Sequence, residues 1–393
     1  MRVAMIAPPW LALPITGYGG IELVLEGLID GLLAQGIEVE LFGNGAHKIR
    51  GVKTHSLYKE EQFHHIHQPY YETSPILQAH LTFALNKIRE DGNFDIIHDH
   101  NTIIGPTFFA QASQLPGVPP VLHTFHGPPF YDQSSHAKDS INGSAYLEQL
   151  TDMGKMYMVC ISHAMAKAAP KTIRPHLLPA VHNAIDVSHF PFRDKKKDYF
   201  ITLARFTKDK GQAVAAKFAA QQKQKLKMAG TVAGMGNRNK LTLELLNPMS
   251  DYRSNHEFRY YSDKILPYVL RNPRITFSGS LSGRRKMKFI SEAKALLFPI
   301  EWEEPFGMSV IEALACGTPV IAMNRGAMPE IIQHGVNGFL ANSAEEFEEY
   351  VQRIDEIDPK DCRKSVEELF SAPAMAELYI ERYAEVLKRA KKS

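Results

Sequence analysis

The chain has 393 residues, 44% hydrophobic and 22% charged, with 45 basic and 43 acidic residues leaving a formal net charge of +2. That length and apolar content suit two globular domains, and the near balance of charge argues against a dedicated nucleic-acid binder. Three scattered cysteines (Cys160, Cys316, Cys362) without a CxxC pair argue against a disulfide framework and a thiolate zinc site, and no apolar run approaches the ~20 residues of a spanning helix.

Residues 3–7 form an apolar run stopped by Pro8 and Pro9, and read as a first strand. A glycine-rich loop, Gly17-Tyr18-Gly19-Gly20, leads into apolar residues at helical spacing from Ile21 to Leu33, with Gly36 suited to the C-terminal cap. Ile37, Val39 and Leu41 then alternate as a second strand, completing a βαβ unit. Residues 58–75, with His64, His65, His67, Tyr70 and Tyr71, read as an insertion before a helix at 76–89. Further strands are expected at 94–98, 121–124, 156–161 and 177–182. The alternation restarts with runs at 199–204, 226–229, 274–278, 295–299 and 320–323, and the charged run 193–198 reads as an exposed linker between the halves. Repeated β–α alternation implies α/β domains of doubly wound type, with parallel sheets covered on both faces. The expected division is an N-terminal domain over 1–190 and a C-terminal domain over 191–375, with an amphipathic helix at 376–391 packing back on the first.

Four constellations carry chemistry. The densest runs from Glu304-Pro305-Phe306-Gly307-Met308-Ser309 to Glu312 and on to Gly317, directly after an apolar strand. A helix is expected to begin near Phe306 and end at Gly317. Its first amides lack intrahelical partners and suit sugar hydroxyls and phosphate oxygens. If the span were wholly helical, Glu304 and Glu312 would stand at most ~12 Å apart. Spacing alone also allows a cap-region acid and an exposed helix acid.

The second constellation is Arg205-Phe206-Thr207-Lys208-Asp209-Lys210-Gly211 at the end of a strand. A guanidinium fork and an ammonium point charge suit a diphosphate, although a solvated basic loop has the same composition. The third is Gly19-Gly20 with Glu22 in the first helical turn, a loop that lets backbone approach a ligand but is not a dinucleotide GxGxxG. The fourth is His98, His100 and His126, all after expected strands and able to face one crevice; a histidine so placed is more often structural.

In this order and spacing, Gly19-Gly20-Ile21-Glu22, Phe94-Asp95-Ile96-Ile97-His98, Thr124-Phe125-His126-Gly127, Ile161-Ser162, Asn183-Ala184-Ile185-Asp186, Arg205…Lys210-Gly211, the Glu304–Glu312 EX7E motif, and Gly326-Ala327-Met328-Pro329-Glu330 with Gly338-Phe339 resemble glycosyltransferase family 4. The likeness spans nearly the whole chain. It implies a GT-B fold, two Rossmann-like doubly wound domains facing across a cleft. It implies a retaining transferase that needs no metal and no cofactor and moves a hexose from a nucleotide-sugar to an unidentified acceptor; the three scattered cysteines suit a reducing cytoplasm. Arg205 and Lys210 are then the diphosphate cations, Glu304 the ligand of the transferred sugar, and Glu312 the ribose ligand. Amides at Phe306, Gly307, Met308 and Ser309 would touch sugar and phosphate, the base would lie near Gly279-Ser280-Leu281, and Gly19, Gly20 and His126 would meet the donor from the other domain.

The contexts Gly17-Tyr18-Gly19-Gly20 and Trp302-Glu303-Glu304-Pro305 are most similar to UDP-glucose users, so a UDP-sugar is favoured over a GDP-sugar and glucose over mannose. One departure is Ala184, where the family usually has glycine. A nucleotide-sugar 2-epimerase of the same fold and a catalytically silent nucleotide-sugar-binding subunit are the rival readings. Basic clusters at Lys167, Lys171 and Arg174, at Arg284-Arg285-Lys286 and at 388–392 leave peripheral contact with a membrane open.

Overall fold

The computed structural model describes residues 1–15, 19–66, 70–102, 104–127, 147, 149–150 and 152–392. Gly17, Tyr18 and His67 of the sequence reading therefore lie outside the described residues. The chain divides into two compact units, Met1–Ile185 joined by the segment from Ser371, and Asp186–Phe370.

The first unit holds a six-stranded sheet in the order β3-β2-β1-β4-β5-β6. Its strands are β1 (Arg2–Ile6), β2 (Glu38–Gly43), β3 (Lys53–Ser56), β4 (Ile96–Asp99), β5 (Val121–Phe125) and β6 (Met156–Cys160). All pairings are parallel. Strands β4, β5 and β6 are buried at every residue, as in a sheet covered on both faces, and β4 and β5 carry His98, Asp99, His123 and Thr124 among those buried positions. β3, Lys-Thr-His-Ser, is polar and only part-buried at the sheet edge, so it carries no apolar signature.

The run 177–182 is not a strand. Leu178 N–H donates to Met158 O at 2.8 Å and Val181 N–H to Cys160 O at 3.0 Å. The donors are three residues apart and the acceptors two, so the register slips by one residue and no continuous ladder forms beside β6. The helix expected at 76–89 spans Tyr70–Asp91 and carries Pro75 within it.

Helix Gly20–Ala34 packs against the C-terminal helix Ala372–Ala390 through glycine: a Cβ on Gly31 would lie 2.8 Å from the Ala372 carbonyl oxygen. That C-terminal helix places Tyr379 and Tyr383, both fully buried, against β4 and β5.

The second unit repeats the design with the order β12-β11-β10-β7-β8-β9, again all parallel. Its strands are β7 (Phe200–Leu203), β8 (Leu226–Ala229), β9 (Ile275–Phe277), β10 (Ala295–Phe298), β11 (Val320–Met323) and β12 (Gly338–Ala341). The charged run 193–198 is tied into this unit: Lys196 Nζ donates to Ser291 O, Cys316 O and Thr318 Oγ1, each at 3.0 Å. Strand order reverses between β7 and β10, which is where ligands bind in open parallel sheets. Among the described residues no helix is long and apolar enough to cross a membrane.

Candidate active site

Two loops leave the carboxyl ends of β7 and β10 at that reversal. The loop 205–211 is fixed by Phe206 N–H donating to Thr231 O at 2.9 Å and by Gln212 Nε2 donating to Arg205 O at 2.8 Å. It closes on Gly211, whose φ is +68°. A Cβ there would fall 1.7 Å from the Pro299 carbonyl oxygen, so the end of β10 presses directly on this loop and only glycine fits.

The two loops meet at a charge pair. Lys210 Nζ lies 2.5 Å from Glu304 Oε2, with the side chains 18% and 8% exposed. Glu304 is placed from behind by Ala327 N–H donating to its carbonyl at 2.9 Å. At Gly326, φ +56°, a Cβ would meet Glu304 N and O at 2.3 Å.

The helix that follows is Met308–Ala315, two residues shorter at its start than the sequence suggested. Gly307, at φ +93°, is its N-cap, and this left-handed backbone cannot belong to a right-handed helix. Glu304 and Phe306 therefore sit in a turn before the helix, and the wholly helical spacing of the two acids does not hold. Phe306 is buried and stacks edge-on to Phe370, while Met308 and Ser309 are half-exposed in the first turn.

Glu312 lies in the second turn of this helix: its side chain is 5% exposed and Oε1 accepts from Lys286 Nζ at 2.6 Å. At the far end of this helix, Lys196 donates to Cys316 O and Arg363 to Ala315 O at 2.9 Å. Cations there complement the negative end of the helix. Burial lowers the Lys196 ammonium to about 8.

Arg205 turns to a different partner. Its Nε lies 3.4 Å from Glu257 Oε1, and Glu257 Oε2 also accepts from Ala233 N at 3.1 Å. The segment Gly279-Ser280-Leu281 follows β9, two strands from β7. Gly279 is at φ +75°, with a Cβ position 2.6 Å from Gly236 O, and Ser280 N–H donates to that same oxygen at 2.8 Å. Leu281 is half-buried beside it.

In the first unit, Gly19 is the N-cap of helix Gly20–Ala34 in an extended conformation. A Cβ on it would lie 2.6 Å from Glu22 Oε2, whereas Gly20 faces open space. Glu22 is 6% exposed, and burial raises its carboxyl above the ordinary range.

The three histidines lie side by side, with the His98 and His100 rings 4.0 Å apart, but differ in exposure and partners. His98 is fully buried between Tyr383 OH (2.7 Å) and Thr124 Oγ1 (2.8 Å), a structural place rather than a crevice. His100 is buried beside Met5 Sδ, and its Nδ1 lies 2.8 Å from His126 Nε2. His126 alone is part-exposed. Burial, with His123 nearby, lowers the His126 imidazole to about 3, so it is neutral at pH 7. His64 and His65 stand exposed in a 3₁₀ turn, rings 3.9 Å apart.

The structure thus joins Lys210 to Glu304, adds Lys286 to Glu312, and directs Arg205 to Glu257. Sequence reasoning gave no role here to Trp302, Glu257 or Lys286. Trp302, two residues before Glu304, had a signal in its rarity, since the chain has two tryptophans. Glu257 had none.

Two parallel, doubly wound α/β units are the architecture of the GT-B class. The chain is a glycosyltransferase of that fold. Residues 18–189 match the family model described as Glycosyltransferase Family 4, and residues 186–368 the one described as Glycosyl transferases group 1.

Spore coat protein SA of Bacillus subtilis is 22% identical over 375 residues, 91% of this chain and 90% of that protein. Sucrose synthase 2 of Zea mays is 26% identical over 153 residues, 38% of this chain, and the match spans only 18% of that longer protein. Among solved structures, sucrose-phosphate synthase from Thermosynechococcus elongatus superposes with a TM-score of 0.75 at 19% identity over 99% of both chains. Anabaena HepE in complex with UDP and glucose gives a TM-score of 0.64 at 16% identity, over 98% of this chain and 99% of that one.

Proposed function

We propose that this enzyme is a retaining, family 4 transferase that moves a hexosyl group from a UDP-sugar to an acceptor hydroxyl without a metal ion. The observation that carries this reading is the Lys210–Glu304 pair at 2.5 Å where β7 and β10 part. Glycosyl transfer places cationic character on the sugar and negative charge on the departing diphosphate. Lys210 and Arg205 would stabilise that leaving charge together with the amides of Met308 and Ser309, the task a metal performs elsewhere. Glu304 would hold the sugar hydroxyls and Glu312 the ribose. The C1–phosphate oxygen bond breaks, the acceptor oxygen bonds C1 on the same face, and the acceptor proton passes to the leaving phosphate. Gly19, Gly20 and His126 are the first unit's candidates for donor contact.

The likeness to HepE, solved with UDP and glucose, supports a UDP-hexose, glucose before mannose. Exposed Lys167, Lys171, Arg174, Arg284 and Arg285 suit a cytoplasmic protein that also meets an anionic membrane surface.

A thermal-shift panel of UDP- and GDP-sugars, followed by hydrolysis of the hit with and without EDTA, tests the reading. Stabilisation by one UDP-hexose and EDTA-resistant hydrolysis are expected. An epimerised donor, or binding without turnover on any acceptor, would sink it.

A further inference from the structure

Glu304 has a second neighbour that the motif does not include. The indole Nε1–H of Trp302 donates to Glu304 Oε2 at 2.8 Å. That is the oxygen Lys210 Nζ reaches at 2.5 Å, and the same ammonium lies 4.8 Å from the centre of the Trp302 ring. Three side chains therefore close a triangle, with Phe298 forming a further aromatic wall 5.9 Å from the ammonium.

Each side of the triangle has a distinct physical character. Indole Nε1 is a donor only, so Trp302 can orient a carboxylate but exchanges no proton with it. The face of the indole attracts an ammonium through its quadrupole, which keeps Lys210 near Glu304 without an additional anion. Both donors converge on Oε2, so Oε1 takes neither bond.

We propose that Trp302 is a positioning residue of the donor site, directing Oε1 of Glu304 toward a sugar hydroxyl and retaining Glu304 when a donor phosphate draws Lys210 away. The proposal rests on the donor-site reading of Glu304 and Lys210 given above. It adds that orientation of Glu304 depends on an indole N–H, which the family motif does not specify.

Trp302→Phe keeps an aromatic face and deletes the N–H. At saturating UDP-sugar its hydrolysis rate should fall roughly 10- to 100-fold, the scale of a small misplacement at a reacting centre. Its Kd for UDP alone, which has no sugar hydroxyl, should be unchanged. A second arm needs no change at Trp302. Trp10 is the other tryptophan, so in Trp10→Phe all tryptophan emission comes from Trp302. Titration with the UDP-sugar should then shift that emission, and adding Lys210→Met should abolish the shift.

Trp302→Phe turning over at the wild-type rate would overturn the proposal, as would equal loss of UDP and UDP-sugar affinity or an emission that donor leaves unmoved. A wild-type protein that binds no nucleotide-sugar overturns the functional reading itself, a result distinct from an active wild type with an equally active Trp302→Phe.

Discussion

The ammonium of Lys286 lies 2.6 Å from a carboxylate, Glu312, that is only 5% exposed. Lys286 comes from helix Gly283–Ser291 and Glu312 from helix Met308–Ala315, so the pair ties the second acid of the motif to a neighbouring helix. Lys286→Met leaves that carboxylate buried without its cation, and should cost about 1–3 kcal/mol of stability and raise donor KM. Adding Glu312→Leu should restore stability in urea denaturation while leaving donor KM high. Recovery of both together would make the pair purely structural.

Lys210→Ala should lower hydrolysis at saturating donor by roughly 10²–10³-fold, the scale for one preorganised donor at a developing charge. It also removes a partner of the buried Glu304, so its melting temperature should fall. Arg205 has a side chain 57% exposed and pairs only at 3.4 Å with Glu257. Arg205→Ala should therefore cut turnover with an unchanged melting temperature. Single-turnover kinetics beside thermal melts separate the two cases.

Gly326→Ala tests the brace behind Glu304. A Cβ there meets Glu304 N and O at 2.3 Å, and φ is +56°. Backbone must move, at a cost on the order of 1–3 kcal/mol, and the displaced atoms belong to Glu304 itself. Reduced stability with reduced turnover is expected. Normal turnover in a destabilised protein would show that Glu304 tolerates the shift.

The first unit should be acid-labile. Burial comes first among the causes that lower His47 and His80 to about 4 and His126 to about 3. In the unfolded chain these imidazoles take protons near 6.5. Below that value the unfolded state binds more protons than the folded state, so stability falls as pH drops from about 6.5 toward 4. Three such groups contribute a slope of up to about 4 kcal/mol per pH unit. The two units carry one tryptophan each, Trp10 and Trp302. Urea melts of Trp302→Phe and Trp10→Phe at pH 7 and 5 should show the first unit losing far more. Equal losses would contradict it.

Replacing the Tyr383 hydroxyl should be felt only in stability. Tyr383→Phe leaves the fully buried His98 Nδ1 without its 2.7 Å partner, at a cost of about 1–3 kcal/mol. Donor hydrolysis should be unchanged, since His98 lies inside the packing of the C-terminal helix. A comparable loss of turnover would show that His98 acts beyond the core packing.

The α/β class could be read directly, because strands buried on both faces, such as Met156–Cys160, are largely apolar runs. Local chemistry marked Glu304, Lys210 and the glycines around them, since a loop at a strand end needs φ freedom and charge within a few residues. Lys53–Ser56 escaped because a part-buried edge strand need not be apolar, and Leu177–His182 misled because its apolar residues meet β6 through two hydrogen bonds whose register slips by one residue. Pairing was beyond any local pattern. Lys210 with Glu304, Lys286 with Glu312, Arg205 with Glu257 and His98 with Tyr383 are joined only when crossover connections lay distant strands and helices side by side. Whether a histidine lines a site or fills a core depends on what packs over it, and for His98 that is a helix nearly three hundred residues further along the chain, at a separation of 285.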